Sequence, residues 1–279
     1  MAGSDSSGHD LPNYDVPPTP DAPPPGTPGC KGIDFLFAID DSASMHAHQT
    51  RLLASVPGFI EAIESSLVSV SSYHVGVITS DDYEDNEPGC QTLGDLVTQT
   101  YDGGECGPFA EGGRFATEAD DLEAVFPCMA IVGTGGNHLE RPVSASIAAL
   151  TPERLAAGGC NEDFIRDDSI LVLVILTDDP PYDPDLDDAH PDTDTSQWYE
   201  QIIAAKGGDA EGVVVIGFIP WDSVTCVVLQ EESPNLVGFV DAFGERGIKA
   251  SICEPDYGPV FAATVETIQF ACDNYVPQG

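Results

Sequence analysis

An apolar segment that ends abruptly in oxygen-bearing side chains is the feature that most constrains this chain. Residues 33–39 read Ile-Asp-Phe-Leu-Phe-Ala-Ile, and Asp40, Ser42 and Ser44 follow at alternate positions. A segment this apolar is typical of a central strand in a parallel sheet, because such strands are covered on both faces. Ligands of open parallel sheets bind beyond the carboxyl ends of the strands. The segment therefore predicts a buried strand with a site at its end.

The three polar side chains after this strand are suited to a hard cation. One aspartate and two serines on a single turn direct oxygen atoms toward one point, and oxygen is the ligand atom that Mg²⁺, Mn²⁺ and Ca²⁺ prefer. Asp and Ser are also favoured N-caps of helices. From this turn alone, a metal site and a helix cap are equally good interpretations.

Strands and helices alternate along most of the chain. After an amphipathic helix at residues 52–67, strands are predicted at 73–79, 170–176, 213–219 and 248–252, and helices at about 117–129, 140–150, 198–205, 234–243 and 260–272. This alternation favours right-handed crossovers. It predicts an α/β fold, a three-layer, doubly wound, mostly parallel sheet of the Rossmann-like kind.

We expect the folded domain to span residues 30–279 and to follow a tether. Residues 1–29 are rich in Pro, Gly, Ser and Asp and hold almost no aliphatic side chains, so they cannot bury enough surface to fold. The tether is either a spacer, as behind a lipid-anchored N-terminus, or a tail with no task. Within the domain, residues 83–116 are predicted to form an irregular, cysteine-bearing insertion with an edge strand near residues 96–101.

The charge balance excludes several classes of partner. Forty-eight Asp and Glu face nine Lys and Arg, which gives a formal charge of -39. Such a surface repels nucleic acid and anionic lipid headgroups and attracts cations. The alternative role of this charge is solubility or adaptation to a salty medium, where repulsion is screened.

The cysteines indicate an oxidising compartment. There are eight, with no C-x-x-C pair and no zinc-finger spacing: Cys30, Cys90, Cys106, Cys128, Cys160, Cys226, Cys253 and Cys272. Four disulfides in an extracytoplasmic protein are the better interpretation. No stretch is long enough to span a membrane, and no signal peptide is visible at the N-terminus, so we expect a chain that was trimmed or that begins after a leader.

A second apolar strand also ends in hydroxyl and carboxylate side chains. Residues 170–176 are the most apolar strand, and Thr177 and Asp178 follow it. Together with D-x-S-x-S and a loop hydroxyl between them, this pattern resembles the metal-ion-dependent adhesion site (MIDAS) of von Willebrand factor A-type (vWA) domains, over about 250 residues from Cys30 onward. More narrowly, residues 35–45, 74–79, 133–136 with Glu140, 164–168 and 251–253 are similar to cysteine-bearing vWA lipoproteins of myxobacterium-like bacteria.

The resemblance implies different roles for the residues of the site. Ser42 and Ser44 would bind the metal directly, and Asp40 and Asp178 would act directly or through water. One coordination position would stay open for a carboxylate of the partner. The implied function is cation-dependent adhesion to a protein or glycan, with Mg²⁺, or else Mn²⁺ or Ca²⁺, and without a catalytic step.

The fifth ligand departs from the common vWA pattern. These domains usually supply a threonine from the loop before the third helix, and Thr134 is the threonine in that loop. His138 or Glu140 takes the equivalent place if the loop is shifted. A glutamate there would favour Ca²⁺.

Other acidic and basic side chains suggest further roles. A second metal site, for Ca²⁺, is proposed at Asp183, Asp185, Asp187, Asp188, Asp192 and Asp194, which otherwise form a solvated acidic loop. His46 and His48 either line the mouth of the first site or lie on the surface of the first helical turn.

The resemblance also implies a disulfide pattern. In this fold Cys30 lies near Cys272, and Cys226 near Cys253. The remaining four cysteines allow three pairings, of which Cys90 with Cys128 and Cys106 with Cys160 are preferred.

Two other function classes compete with adhesion. One is a structural surface scaffold that metal or calcium merely stabilises. The other is a metal-dependent phosphohydrolase, but phosphotransferases of the haloacid dehalogenase type need D-x-D, and Ser42 stands at the third position. A serine hydrolase has no G-x-S-x-G motif to build on. We therefore expect a non-enzymatic protein that is secreted, periplasmic or on the outer surface like a lipoprotein.

Overall fold

The sheet has the predicted α/β organisation. The computed structural model describes residues 29–66, 70, 72–137, 140–178, 197–221 and 233–277. Its strands are β1 (Gly32–Ile39), β2 (Ser72–Thr79), β3 (Ala116–Thr117), β4 (Ser169–Leu176), β5 (Val213–Ile219) and β6 (Gly247–Ser251). They lie in the order β3-β2-β1-β4-β5-β6. All neighbours are parallel except the edge pair β2 and β3, so the predicted doubly wound, mostly parallel sheet is confirmed.

Helices cover both faces of this sheet. They are α1 (His46–Ser66), α2 (Leu122–Ala130), α3 (Pro142–Ala149), α4 (Pro152–Leu155), α5 (Trp198–Ala204), α6 (Pro234–Asp241) and α7 (Gly258–Asn274). On one face α1, α2 and α7 share a core, in which the ring of Phe59 packs edge-on against Phe35 and Phe37 of β1. On the other face α3, α5 and α6 pack through residues such as Ile202 and Leu236. The result is three layers.

The register of the central strands decides where a site can form. Ile39 at the end of β1 pairs with Thr79 of β2 on one side and with Leu176 of β4 on the other. All eight residues of β1 and all eight of β4 are buried. The residues that follow these three strands therefore meet at one edge of the sheet, where ligands of such sheets bind.

The insertion differs from its prediction. Residues 96–101 form no strand apart from a single bridge between Gln99 and Glu105, and the edge strand is β3 instead. The physical reason is that the backbone N–H of Leu96 donates to the side-chain oxygen of Asn161, 2.9 Å away. The neighbouring backbone bond, from the N–H of Val97 to the carbonyl of Val77 in β2 at 2.8 Å, is therefore not continued into a ladder.

The disulfides confirm one expected pair and correct two others. Cys30 is bonded to Cys272, as expected. The structure pairs Cys90 with Cys160 and Cys106 with Cys128, so the preferred pairing of Cys90 with Cys128 and Cys106 with Cys160 is wrong. Cys253 is also disulfide-bonded, while Cys226, its expected partner, lies outside the described residues.

The pairing of Cys90 with Cys160 is explained by the hydrogen bonds of Asn161, the residue after Cys160. The buried side chain of Asn161 donates to the carbonyl of Gly94 and accepts from the N–H of Leu96, both at 2.9 Å. This holds the start of the insertion next to Cys160, and the Cα atoms of Cys90 and Cys160 are 5.7 Å apart.

The disulfides fit an oxidising, extracytoplasmic environment, because such bonds persist there. Among the described residues, no helix combines the length and the apolar character that a membrane crossing requires. Residues 1–28, which make up most of the predicted tether, lie outside the part that the structure describes.

Candidate metal centre

Asp40 is fixed at the end of β1 by hydrogen bonds to both of its carboxylate oxygens. Its Oδ1 accepts from the backbone N–H of Ser42 at 2.7 Å, and its Oδ2 accepts from the hydroxyl of Thr177 at 2.6 Å. Its own N–H donates to the carbonyl of Leu176 at 2.9 Å. The side chain is fully buried. A carboxylate held this firmly is a rigid partner for a cation.

Three of the other four predicted ligands, Ser42, Ser44 and Asp178, complete a chain of contacts with Asp40. The hydroxyl of Ser44 donates to Oδ1 of Asp178 at 2.7 Å and lies 3.1 Å from the hydroxyl of Ser42. We call Asp40, Ser42, Ser44 and Asp178 the strand-end site. Ser44 is exposed, whereas the other three are buried. The site therefore opens to solvent on the side of Ser44.

A glutamine that the sequence analysis missed holds the turn against the glycine loop. The side-chain amide of Gln49 donates to the carbonyl of Asp40 at 2.9 Å and to that of Gly133 at 2.8 Å. The N–H of Gly136 donates to the carbonyl of Asp41 at 2.8 Å. A Cβ at position 136 would lie 2.6 Å from the carboxyl carbon of Asp41. The glycine is therefore needed for the loop to approach this closely.

A buried acidic triad stands beside the strand-end site. Asp40, Asp41 and Glu140 each offer a carboxylate oxygen, and these oxygens lie within 4.8 Å of one another. Oε2 of Glu140 accepts from the hydroxyl of Ser80. Its Oε1 is buried and receives no hydrogen bond from an N–H or hydroxyl group of the described residues. Hard oxygen ligands with an unused, buried lone pair fit a divalent metal, so this triad could hold one.

The three candidates for the fifth ligand have different positions. Glu140 belongs to the triad because α3 begins only at Pro142, which leaves Glu140 in the loop that faces Asp40. Thr134 is half-buried in the glycine loop, one residue after the carbonyl that Gln49 binds. His138 lies outside the described residues, as does the proposed second site at residues 183–194. The ligand role of Thr134 stays a prediction.

Burial and repulsion dominate the electrostatics of the triad. Burial raises the pKa of Asp40, and hydrogen bonds from Thr177 and Ser42 oppose this rise. Burial, followed by the charges of Asp81 and Asp40, raises the pKa of Asp41 to about 8. Burial, followed by the charge of Asp40, raises the pKa of Glu140 to about 10. A bound cation would relieve both causes.

His48 borders the site, whereas His46 is exposed on the first turn of α1. Nε2 of His48 lies 3.4 Å from Oδ2 of Asp178. Its Nδ1 lies 2.9 Å from the carbonyl of Ile252. The ring therefore connects Asp178 to the end of β6 and fixes the orientation of that carboxylate.

Ser80 and Asp81 are site neighbours that the sequence analysis did not select. They follow β2, and Ser80 contacts Glu140 and lies 3.4 Å from Oδ1 of Asp41. The signal was present, because a third apolar strand ends there in Ser-Asp-Asp. Because β2 lies next to β1 in the sheet, the side chains that follow β2 lie close to those that follow β1.

The raised pKa values predict that the cation-free protein loses stability as the pH rises. The folded protein retains protons on Asp41 and Glu140 that the unfolded chain releases near pH 3.8 and 4.5. Stability therefore falls from that range up to about 8 for Asp41 and about 10 for Glu140. In EDTA, we expect a higher Tm at about pH 5 than at about pH 8.5.

Differential scanning calorimetry with intact disulfides measures this dependence. The Glu140→Gln variant is the control, since it removes one of the two groups and should flatten the curve. Equal slopes in the two proteins would show that Glu140 keeps no proton in the folded state.

Comparisons with known proteins give similarities of structure alone. No protein-family model matches the chain, and no curated protein sequence matches it. Similar solved structures include proximal thread matrix protein 1 from the mussel byssus (12% identity, TM-score 0.39, 88% of this chain and 49% of that chain). Others are a von Willebrand factor type A protein from Catenulispora acidiphila (11%, 0.37, 86% and 43%) and the human COPII-coat protein Sec24c (12%, 0.40, 88% and 33%). The chain thus spans a third to a half of the length of these proteins.

Proposed function

We propose that this chain is a divalent-cation-dependent binding module of the vWA type, which recognises a protein or glycan partner. The observation that carries the proposal is the hydrogen-bonded strand-end site at the carboxyl ends of β1 and β4. Its four oxygen-bearing side chains come from two strands that are far apart in sequence and adjacent in the sheet. A helix cap would need the first turn alone and would not involve Asp178.

The side chains of the strand-end site are the kinds of metal ligand that a cation-dependent binding module needs. Asp40 and Asp178 supply charge, and Ser42 and Ser44 supply neutral hydroxyls. Neutral ligands leave a bound cation electrophilic, so a carboxylate from a partner can still bind it. The exposed side of Ser44 provides the approach. No nucleophile or proton transfer is required, and the proposal includes no catalytic step.

The surroundings of the site support the same proposal. The formal charge of -39 concentrates cations near the surface. The disulfides suit a secreted, periplasmic or surface-anchored protein. The proline-rich residues 1–29 would act as a tether between this domain and a membrane or wall.

The test separates adhesion from the scaffold alternative. Mg²⁺, Mn²⁺ and Ca²⁺ are titrated into EDTA-treated protein while Tm is followed, and capture of proteins and glycans from a cell-surface extract is compared in Mg²⁺ and in EDTA. Adhesion predicts a cation-dependent rise in Tm together with cation-dependent capture. A rise in Tm with identical capture in Mg²⁺ and EDTA would favour the scaffold, and no rise with any cation would contradict the metal site.

A pair of variants decides which loop residue completes the metal shell. We expect Glu140→Gln to lower the affinity for Ca²⁺ by about 10- to 100-fold, and Thr134→Val to have a smaller effect. The reason is that the carboxylate of Glu140 lies within 4.8 Å of those of Asp40 and Asp41. Both substitutions keep the shape of the side chain, so isothermal titration calorimetry compares them directly. A larger loss in Thr134→Val would assign the position to the threonine.

A further inference from the structure

A pair of buried carboxylates lies next to the strand-end site without belonging to it. Asp41 follows β1 and Asp81 follows β2, and the two carboxyl groups are within hydrogen-bonding reach of each other. Asp41 is 3% exposed and Asp81 is 6% exposed. Among the described residues, no Lys, Arg or His forms an ion pair with either of them. Buried charges are normally paired or bound to a metal.

Asp81 has an oxygen atom that no N–H or hydroxyl group in the described part of the chain satisfies. Its Oδ2 accepts from the N–H of Asn137 at 2.5 Å, which ties β2 to the glycine loop. Its Oδ1 is buried and receives no hydrogen bond from an N–H or hydroxyl group of the described residues. Leaving a buried carboxyl oxygen in this state is costly, and an unsatisfied buried group calls for an explanation such as an ion.

These carboxylates line a cavity of about 430 Å³ that is rich in oxygen atoms. The wall also includes Tyr83, which is 4% exposed and whose hydroxyl has no partner among the described residues. The exposed carboxylates of Asp82, Glu84 and Asp85 form the rim. Two independent unpartnered oxygens, from Asp81 and Tyr83, thus border the same cavity.

We infer that this cavity binds a calcium ion through Asp41 and Asp81. Ca²⁺ takes six to eight oxygen ligands with flexible geometry, and a roomy cavity between two loops suits it better than Mg²⁺, which demands a strict octahedron. The site uses neither Ser42, Ser44 nor Asp178, so it is distinct from the strand-end site. It uses none of the carboxylates proposed for a second site at residues 183–194, and it shares Asp41 with the acidic triad.

The ion would connect three elements that carry the proposed binding function. It would fix the end of β1 through Asp41, the end of β2 through Asp81, and the glycine loop through the contact between Asn137 and Asp81. That loop holds Thr134 and is followed by Glu140. Calcium here would thus organise the loop without contacting a partner.

Calcium stoichiometry tests the inference. The full chain is stripped with EDTA, and bound ⁴⁵Ca²⁺ is measured by equilibrium dialysis for wild type, Asp81→Asn and Asp178→Asn. We expect Asp81→Asn to bind one Ca²⁺ fewer than wild type. The matched control is Asp273→Asn, which removes an exposed carboxylate near the end of α7, outside the cavity, and should keep the wild-type count. An unchanged count in Asp81→Asn would overturn the inference.

The same measurement separates this site from the proposed function. If Asp178→Asn loses one ion and Asp81→Asn keeps the wild-type count, the strand-end site is supported and the calcium site is contradicted. The reverse result supports the calcium site and shows that the strand-end site does not bind Ca²⁺, so that the Mg²⁺ titration of Asp178→Asn decides the strand-end site. Wild type that binds no Ca²⁺ overturns the calcium site at once.

A second readout applies if Asp81→Asn does not fold. Tb³⁺ replaces Ca²⁺ at oxygen sites and emits when a nearby aromatic ring is excited. We expect Tyr83→Phe to lower the sensitised Tb³⁺ emission while it leaves the number of bound ions unchanged. Tyr275→Phe, which alters a ring at the opposite end of the sheet, where its hydroxyl donates to the carbonyl of Asp167 at 2.9 Å, serves as the control and should emit as wild type does. Equal emission from Tyr83→Phe and wild type would contradict the inference.

Discussion

In the Asp178→Asn variant, the affinity for Mg²⁺ is expected to fall by about 100-fold or more, and cation-dependent capture of a partner is expected to disappear. Mutation of groups that only support a metal ligand already costs about 10- to 100-fold in affinity, and Asp178 is proposed to be a ligand itself. Its carboxylate is buried and accepts from the hydroxyl of Ser44. Asparagine keeps the shape and that hydrogen bond but removes the charge. Isothermal titration calorimetry measures the change.

The control for this variant removes the same charge elsewhere. Asp273 is exposed near the end of α7, where it accepts from the side chain of Gln269. Asp273→Asn changes the net charge of the chain equally, so it should leave Mg²⁺ affinity unchanged. If Asp178→Asn also binds Mg²⁺ as wild type does, the cation is held without Asp178, and the acidic triad of Asp40, Asp41 and Glu140 becomes the better site.

The central part of the fold and the four residues of the strand-end site follow from local sequence. β1 and β4 are so apolar that they must be covered on both faces, and their polar ends must then meet at one edge. Asp40 and Asp178 are predictable for this reason, although 137 positions separate Asp40 from its hydrogen-bond donor Thr177. The hydroxyls of Ser42 and Ser44 follow from their spacing within one turn.

The residue that the glycine loop contributes to the metal site is harder to predict, because its position depends on the backbone conformation of the loop. Gly133 has a φ of 80°, and a Cβ there would lie 2.7 Å from the side chain of Tyr101. This glycine sets the path of the loop and, with the start of α3 at Pro142, brings Glu140 to the triad. Sequence spacing alone could not choose among Thr134, His138 and Glu140, since each is a plausible ligand in a different register.

The insertion was the least predictable part, because long-range side-chain contacts organise it. Asn161 is fully buried and also donates to the carbonyl of Ala149 at 2.9 Å. Its partners in residues 94–96 lie more than 60 positions earlier in the chain. An asparagine in a glycine-rich segment gives no sign of this role. The pairing of Cys90 with Cys160 depends on the same hydrogen bonds of Asn161, so the disulfide and the edge strand are both predicted wrongly.

At the opposite end of β1, replacing Arg166 should destabilise the protein more than any surface substitution. Asp34 is fully buried in the strand. Its Oδ1 accepts from Nε and Nη2 of Arg166 at 2.8 and 2.6 Å, and its Oδ2 accepts from the backbone N–H of Arg166 at 2.9 Å. Arg166→Met leaves the carboxylate buried without its cation, and we expect a loss of about 3–5 kcal/mol in the free energy of unfolding.

Two comparisons show whether the ion pair itself is responsible for that loss. Adding Asp34→Leu to Arg166→Met removes both charges and should restore most of the stability, because a buried pair can be replaced by apolar residues at little cost. Lys31→Met breaks an exposed pair with Asp168, whose atoms are 3.0 Å apart, and should cost no more than about 1 kcal/mol. Denaturant unfolding with intact disulfides measures all three. A double variant no more stable than Arg166→Met would mean that the loss comes from packing of the long arginine side chain and not from an unpaired Asp34.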